Sequence, residues 1–125
     1  MVKNKMENKE FNSEISIDFD FDLDYLNNKF FRILKQFSPF GPGNQNPVFC
    51  SYNLSLKSPP IFLGENKQHI KFIIELKGRD VQAIGFNLAH LLKDTDTRSI
   101  NICYNITENF WNKRTSLQLI LIDFY

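Results

Sequence analysis

Between Ile15 and Asp24 the chain alternates strictly, with Ile15, Ile17, Phe19, Phe21 and Leu23 set against Ser16, Asp18, Asp20, Asp22 and Asp24. Successive side chains of a strand point to opposite faces, so this period of two predicts a strand with one buried and one acidic face. Asp24 is placed to cap a helix, its carboxylate accepting the free backbone N–H groups of the first turn. Tyr25, Leu26, Phe30, Ile33, Leu34 and Phe37 follow at helical spacing. Ser38-Pro39 ends that helix, because a residue before proline disfavours the α conformation. Three Pro and two Gly between Pro39 and Pro47 then make a loop, and the domain boundary falls there.

After this loop the pattern changes to strands. Val48–Leu56 is the first, and Lys57–Gln68, with Pro59-Pro60, is a loop. His69–Leu76, with Ile70, Phe72 and Ile74 on one face, is the second strand, and Lys77–Asp80 is a hairpin turn into the third, Val81–Phe86. Asn87–Lys93 reads as a short helix and Asp94–Ser99 as a polar loop. Ile100–Ile106 is the fourth strand, Thr107–Thr115 a loop and Ser116–Phe124 the fifth strand. Three strands, a helix and two strands is the order of a five-stranded Greek-key barrel of the OB type, with its short helix between strands three and four. The expected fold is therefore mainly β: a flexible N-terminus over 1–13, a strand-helix arm and Pro/Gly loop over 14–47, and an OB-type barrel over 48–125.

Composition narrows the function. The 125 residues carry 15 Lys+Arg and 14 Asp+Glu, a net charge of +1, which excludes a strongly basic nucleic-acid tail and an acidic disordered chain. What basic excess there is lies after Pro47. The 13 Phe require a sizeable aromatic core or an exposed stacking surface. Two Cys are too few for a disulfide framework or a four-Cys zinc site. No apolar run is long enough to span a bilayer, and the polar start lacks a secretory leader. The expectation is a soluble cytoplasmic protein that makes no membrane contact.

The chemistry-bearing motifs are mostly ordinary. Asp18, Asp20 and Asp22 have the spacing of a calcium loop, but Leu23 and Lys29 stand where that loop needs Gly and Glu, and a solvated strand face explains them. Gly41-Pro42-Gly43-Asn44 reads as a turn, since Pro42 removes a donor and no Gly-Lys-Ser/Thr follows. Cys50 and Cys103, inside strands, behave as small buried apolar groups. Neither His69 nor His90 has a partner at metal spacing, so no catalytic and no metal-ligating residue is assigned. The loops after strands one and four are more informative, because in an OB barrel they border the oligonucleotide groove. The first holds Lys57, Phe62 and Lys67; the second holds Phe110, Trp111, Lys113 and Arg114. Single-strand binding needs cations for phosphates and aromatic faces for bases, and both loops carry both. Lys71 and His69 lie on the second strand, on the face opposite Ile70 and Phe72. Phe62 and Trp111 would equally serve as plugs for the barrel ends.

Pro39-Phe40-Gly41-Pro42-Gly43-Asn44, followed by Pro47-Val48-Phe49, resembles the PFGxGNPxPxF segment of the RecJ family of bacterial single-stranded-DNA-specific exonucleases. His69-Ile70-Lys71 is similar to the family's HLK, and Ala83-Ile84-Gly85-Phe86 to its AIxF. Asn109-Phe110-Trp111-Asn112, Leu117-Gln118-Leu119 and Asp123 resemble its closing NxWNG…LQLxxxD. The likeness spans roughly residues 14–125, with Gln45-Asn46 replacing a Pro-Glu pair and Lys113 standing where Gly is common. It implies the C-terminal region of a RecJ-like 5′-to-3′ exonuclease, acting in DNA repair and recombination. The manganese or magnesium of such an enzyme is held by Asp and His ligands in catalytic domains whose motifs this chain lacks. No cofactor is expected here. The expected partners are single-stranded DNA, those catalytic domains and, through a Phe-rich arm, a second copy. Lys57, Lys67, Lys71, Lys113 and Arg114 are expected on phosphates and Phe62 and Trp111 on bases; His69, like Lys71, comes from the family-matching segment. The competing readings are a docking module that does not bind DNA by itself and, more remotely, a self-contained nuclease.

Overall fold

The structure, a computed structural model, describes residues 10–35, 47–94 and 96–125, with the backbone alone at Lys35, Lys93, Asp94 and Trp111. Among them are seven strands and one α-helix: β1 (Phe19–Asp20), α1 (Asn28–Lys35), β2 (Phe49–Leu54), β3 (Ile61–Leu63), β4 (His69–Leu76), β5 (Arg79–Gly85), β6 (Ile100–Trp111) and β7 (Arg114–Phe124). Short 3-10 segments lie at Leu23–Tyr25 and at Ala89–Asp94. The chain is mainly β, with its short helical segment between β5 and β6. No described helix is long and apolar enough to cross a membrane.

The strands form one sheet in the order β1-β2-β6-β7-β5-β4-β3. The β1–β2 and β5–β7 pairs are parallel and the others antiparallel. Just past β2, the chain also meets β4. Leu56 bridges Ile74, the Lys57 N–H donates to the Ile73 carbonyl at 2.8 Å, and the Glu75 N–H donates to the Ser55 carbonyl at 3.0 Å. One face of the sheet makes the core. Ile70, Phe72 and Ile74 of β4 alternate into it, joined by Ala83, Ile102, Tyr104 and Leu119, all fully buried.

The arm departs from the expected strand over 15–23. Only Phe19–Asp20 pairs, because Asp22 accepts the Asp24 N–H at 2.9 Å and turns the chain into a 3-10 segment. That tight turn drives Leu23 and Leu26 into the core. The helix starts at Asn28 rather than Tyr25, since Asn27 and not Asp24 is its cap: the Asn27 Oδ1 accepts the Phe30 N–H at 2.7 Å. The expected Ser38-Pro39 stop and the loop from Pro39 to Asn46 lie outside the described residues. The arm packs through aromatic rings. Phe21 stacks on Phe30 at 4.7 Å, and Phe49 lies 5.5 Å from Phe21 and 6.0 Å from Tyr104.

Two expected loops contain strand. Within Lys57–Gln68, Ile61–Leu63 pairs with β4 as β3, in register Phe62↔Ile70. Thr107–Thr115 is instead a continuation of β6 and β7, which pair out to Trp111↔Arg114. Their turn is only Asn112-Lys113, both at positive φ (54° and 64°). A two-residue hairpin turn of this twist favours Asn-Gly, because a Cβ is strained in the left-handed region. β3 is a three-residue, fully exposed edge strand set behind Pro59-Pro60, too short to show an alternation, and the outer β6–β7 hairpin is polar and extends past the strands beside it.

On the other face of β2, Cys50 lies opposite Cys103 of β6. Both thiols are free and buried, and the Cys50 thiol donates to Asp20 Oδ1 at 2.8 Å. Burial first, then the nearby Cys50 and Asp123, push the Cys103 thiol up to about 12.

Lys113→Gly should raise stability by roughly 0.5–1 kcal/mol in urea unfolding, the relief of left-handed strain less the entropy of an added glycine. Alkaline stability should report Cys103. Below about pH 9 folded and unfolded chains both keep that proton; from about 9 to 12 only the unfolded chain releases it. Stability therefore falls with rising pH across this window, and Cys103→Ala should flatten the fall in a pH series of unfolding curves.

Candidate nucleic-acid interface

Residues directly opposed in an antiparallel pair share a face. Ile61 and Leu63 lie opposite Lys71 and His69, and Lys71 lies opposite Ile84 and Ile73 opposite Gln82. The outward side of β3–β4–β5 is thus a mixed surface of His69, Lys71, Gln82, aliphatic groups and, towards the β4–β5 turn, the opposed Glu75 and Asp80. Phe62 pairs with the buried Ile70 and so belongs to the opposite side from Lys71.

At one end of this face the chain makes two linked turns. Lys67, at φ 53°, closes the first, its N–H donating to the Gly64 carbonyl at 3.0 Å. The second follows β5, where Asn87 at φ 61° donates its N–H to His69 Nδ1 at 2.9 Å. With Nδ1 accepting, the neutral ring keeps its N–H at Nε2. Phe86 meets the His69 ring edge-on at 5.3 Å and is itself 53% exposed. His69 is therefore a buttress for the turn that presents Phe86. Between the two turns a groove is lined by Phe62, Asn66, Lys67, Gln68, Asn87, Ala89 and His90.

The hairpin tip lies at the other end. β7 runs parallel to β5 with Gln118 level with Gln82, so Arg114 is about level with Gly78. From Gly78 to Gly85 an extended strand climbs roughly 20 Å at ~3.3 Å per residue. Lys67 of the first loop and Lys113-Arg114 of the second thus stand at opposite ends of the β4–β5 face. Lys113 and Arg114 are exposed at the tip, beside Phe110, which at 70% exposure is the barest of the large apolar side chains described. Trp111 is placed there by its backbone pairing with Arg114; its side chain lies outside the described residues.

Of the remaining expected residues, Lys57 is engaged: its Nζ meets Asp80 Oδ2 at 2.8 Å, which raises the pKa of the ammonium. The structure gathers Phe62, Lys67 and His69 around the linked turns, sets Lys71 next along β4, and leaves Lys113 and Arg114 across the face. Sequence reasoning did not single out Asn66 or Asn87, weighed His90 only as a metal ligand, and quoted Phe86 only within the family-matching segment. The first three meet only when β3 and the segment after β5 fold side by side, and no spacing along the chain signals that. Phe86 could have been found, since it closes the Ala83–Phe86 segment.

The sequence profile of the RecJ OB domain matches residues 17–123. This chain belongs to the RecJ OB domain family. No curated protein sequence matches it significantly. Among solved structures, this RecJ OB domain superimposes on RecJ from Thermus thermophilus in complex with Mn2+, with a TM-score of 0.56 and 23% identity over 78% of this chain and 13% of that one. RecJ from the same organism in complex with Mg2+ gives a TM-score of 0.56 and 23% identity over 77% of this chain and 14% of the other. The chain thus spans only a small part of the length of these relatives, and identity this low speaks for the shared fold alone.

If His69 buttresses the turn of this RecJ OB domain, His69→Phe should lose the bond to Asn87 while keeping an aromatic ring. The expected result is a destabilisation of about 1 kcal/mol, together with faster hydrogen exchange at the Asn87 amide than at the β6–β7 amides.

Proposed function

We propose that this domain holds single-stranded DNA across the outward face of β4–β5, as the DNA-binding portion of a RecJ-like 5′-to-3′ exonuclease. The strand would run to catalytic domains outside these 125 residues, and those domains, not this chain, would hold the Mn2+ or Mg2+. The architecture behind this reading is a five-stranded barrel of β2, β4, β5, β6 and β7. The backbone contacts of Ser55, Leu56 and Lys57 with Ile73, Ile74 and Glu75 support such a closure between its first and second strands. In a barrel of that type the face of strands two and three, with the loops after strands one and four, binds oligonucleotides.

The observation that carries the reading is the placement of cations and aromatic groups along this face. Lys67, His69 and Phe86 stand at one end with Lys71 next along β4, and Lys113 and Arg114 stand at the other; Phe110, opposite Thr115 and in phase with the buried Ile106–Leu119 pair, belongs to the other side of the hairpin. Such a groove supplies charge for phosphates and flat rings for bases without needing sequence readout. Lys57 would contribute less than its charge suggests, because a phosphate must compete with Asp80 for it. The arm favours a second role in the same protein. Phe19 and Ile33 are 55% and 47% exposed, an apolar surface suited to docking against a neighbouring domain.

Fluorescence anisotropy with a labelled single strand, beside a duplex of equal length, tests the proposal. Binding should favour the single strand and weaken steeply with salt as counterions are released. Lys71→Ala and Arg114→Ala should each reduce the slope of log K against log salt by about 0.7, the single-strand value per phosphate contact. Lys57→Ala should change it less. No binding at low salt, or binding indifferent to salt and to these variants, would leave docking as the role of the domain.

A further inference from the structure

We propose that the groove between the two linked turns is a pocket for one unstacked nucleobase of the bound strand. The inference rests on the strand-binding reading above and goes past it, from a surface that tolerates any base to a position that grips one. The groove is shallow and open to solvent, with a volume of about 560 Å3, within the roughly 300–1,000 Å3 of small-molecule sites. Its walls combine the half-exposed ring of Phe62 with the amides of Asn66, Gln68 and Asn87, and no carboxylate lines it. Lys67 and His90 complete the lining.

These walls are tied together before any ligand arrives. The Gln68 carbonyl accepts the Ala89 N–H at 3.1 Å, joining the start of β4 to the segment after β5. Gln68 Oε1 accepts the Asn66 N–H at 3.1 Å, and the Asn87 N–H is held by His69. Gly64 makes the tight approach feasible: at φ 96° it sits where a Cβ would lie 2.6 Å from Gln68 Oε1. Among the described residues, no hydrogen bond engages the side-chain amides of Asn66 and Asn87, although both line the groove. Each such amide offers an N–H donor and a carbonyl acceptor side by side. That pairing complements the Watson–Crick edge of a base, which an unpaired strand leaves open. A neutral planar heterocycle with a polar edge therefore fits this lining better than an anion or an aliphatic chain.

Position sharpens the inference. The groove lies beyond the His69–Gly85 end of the face, on the far side from the hairpin tip. The gripped base should therefore fall near one end of the bound footprint and not at its middle.

The test is an abasic walk: single strands of footprint length, each lacking one base at a different position, bound to the full chain and followed by anisotropy. One terminal or near-terminal position should lose affinity fivefold or more, in line with the net worth of hydrogen bonds from the Asn66 and Asn87 amides to the base edge. In the double variant Asn66→Ala, Asn87→Gly that dependence should vanish while the salt slope stays the same; glycine keeps the left-handed backbone at 87, and a thermal melt checks the fold. Asn66→Ala alone, on an exposed turn, should weaken it partially. A flat walk with salt-sensitive binding retained overturns the pocket and leaves the strand-binding face standing. So does a sensitive position that persists in the folded double variant. No strand binding by the unaltered chain at low salt overturns both.

Discussion

Tyr104 sits fully buried at the centre of the sheet, and a phenol can do so only if its hydroxyl is hydrogen-bonded. Ser51 supplies the partner at 2.8 Å and donates its own hydrogen bond to the carbonyl of Phe21. One relay thus joins β6 to β2 and β2 to the arm. Leaving any of these groups unpaired would cost about 1–3 kcal/mol, so the position of Phe21 is dictated by a polar need in the core. Its ring then meets Phe30 and Phe49, and the turn that follows can set Leu23 and Leu26 into place. The aromatic-rich composition is largely spent here, on making the arm an integral wall of the domain.

The basic residues divide in a similar way between structure and surface. Lys57 is paired with Asp80, Arg98 with Asp96, and Arg79 donates to the Leu23 carbonyl at 3.3 Å. Among the described residues no ion pair holds Lys67, Lys71, Lys113 or Arg114. These four lie along or at the ends of one face, so a domain with a net charge of only +1 can still offer a positive track. The acidic residues divide as well: Asp18, Asp20 and Asp22 accept from Val48, Cys50 and Asp24 along the arm, whereas Glu75 and Asp80 lie opposite each other on the outward face of β4–β5, where Lys57 pairs with Asp80.

The strands that bury a full side were legible in the sequence, since β4 and β6 alternate apolar and other residues against the core. β3 and the outer half of the β6–β7 hairpin were not, because a three-residue exposed edge strand and a hairpin tip beyond the core carry no burial pattern. The arm misled in the opposite direction: its alternation promised a long strand, but Asp22, accepting the Asp24 N–H, bends its end into a 3-10 segment, and the expected helix starts later because Asn27 caps it. The cations of the interface could be picked out from loop composition. Their separation to opposite ends of the face could not, because it follows from the parallel register of β5 and β7. The groove was invisible for the same reason, being assembled from two turns distant in sequence.

The strand order has a consequence for how the chain reaches this state. β2 must wait for β6 before Phe49 can find Tyr104, and β7, the last strand made, inserts between β6 and β5. Pairings this distant in sequence demand large loop closures before any contact rewards them, and domains built in this way fold in milliseconds to seconds. Until the final strand arrives, β5 and β6 both present open edges, an invitation to pair with a neighbouring chain. The order of synthesis therefore leaves the nascent domain most vulnerable to aggregation just before it is complete.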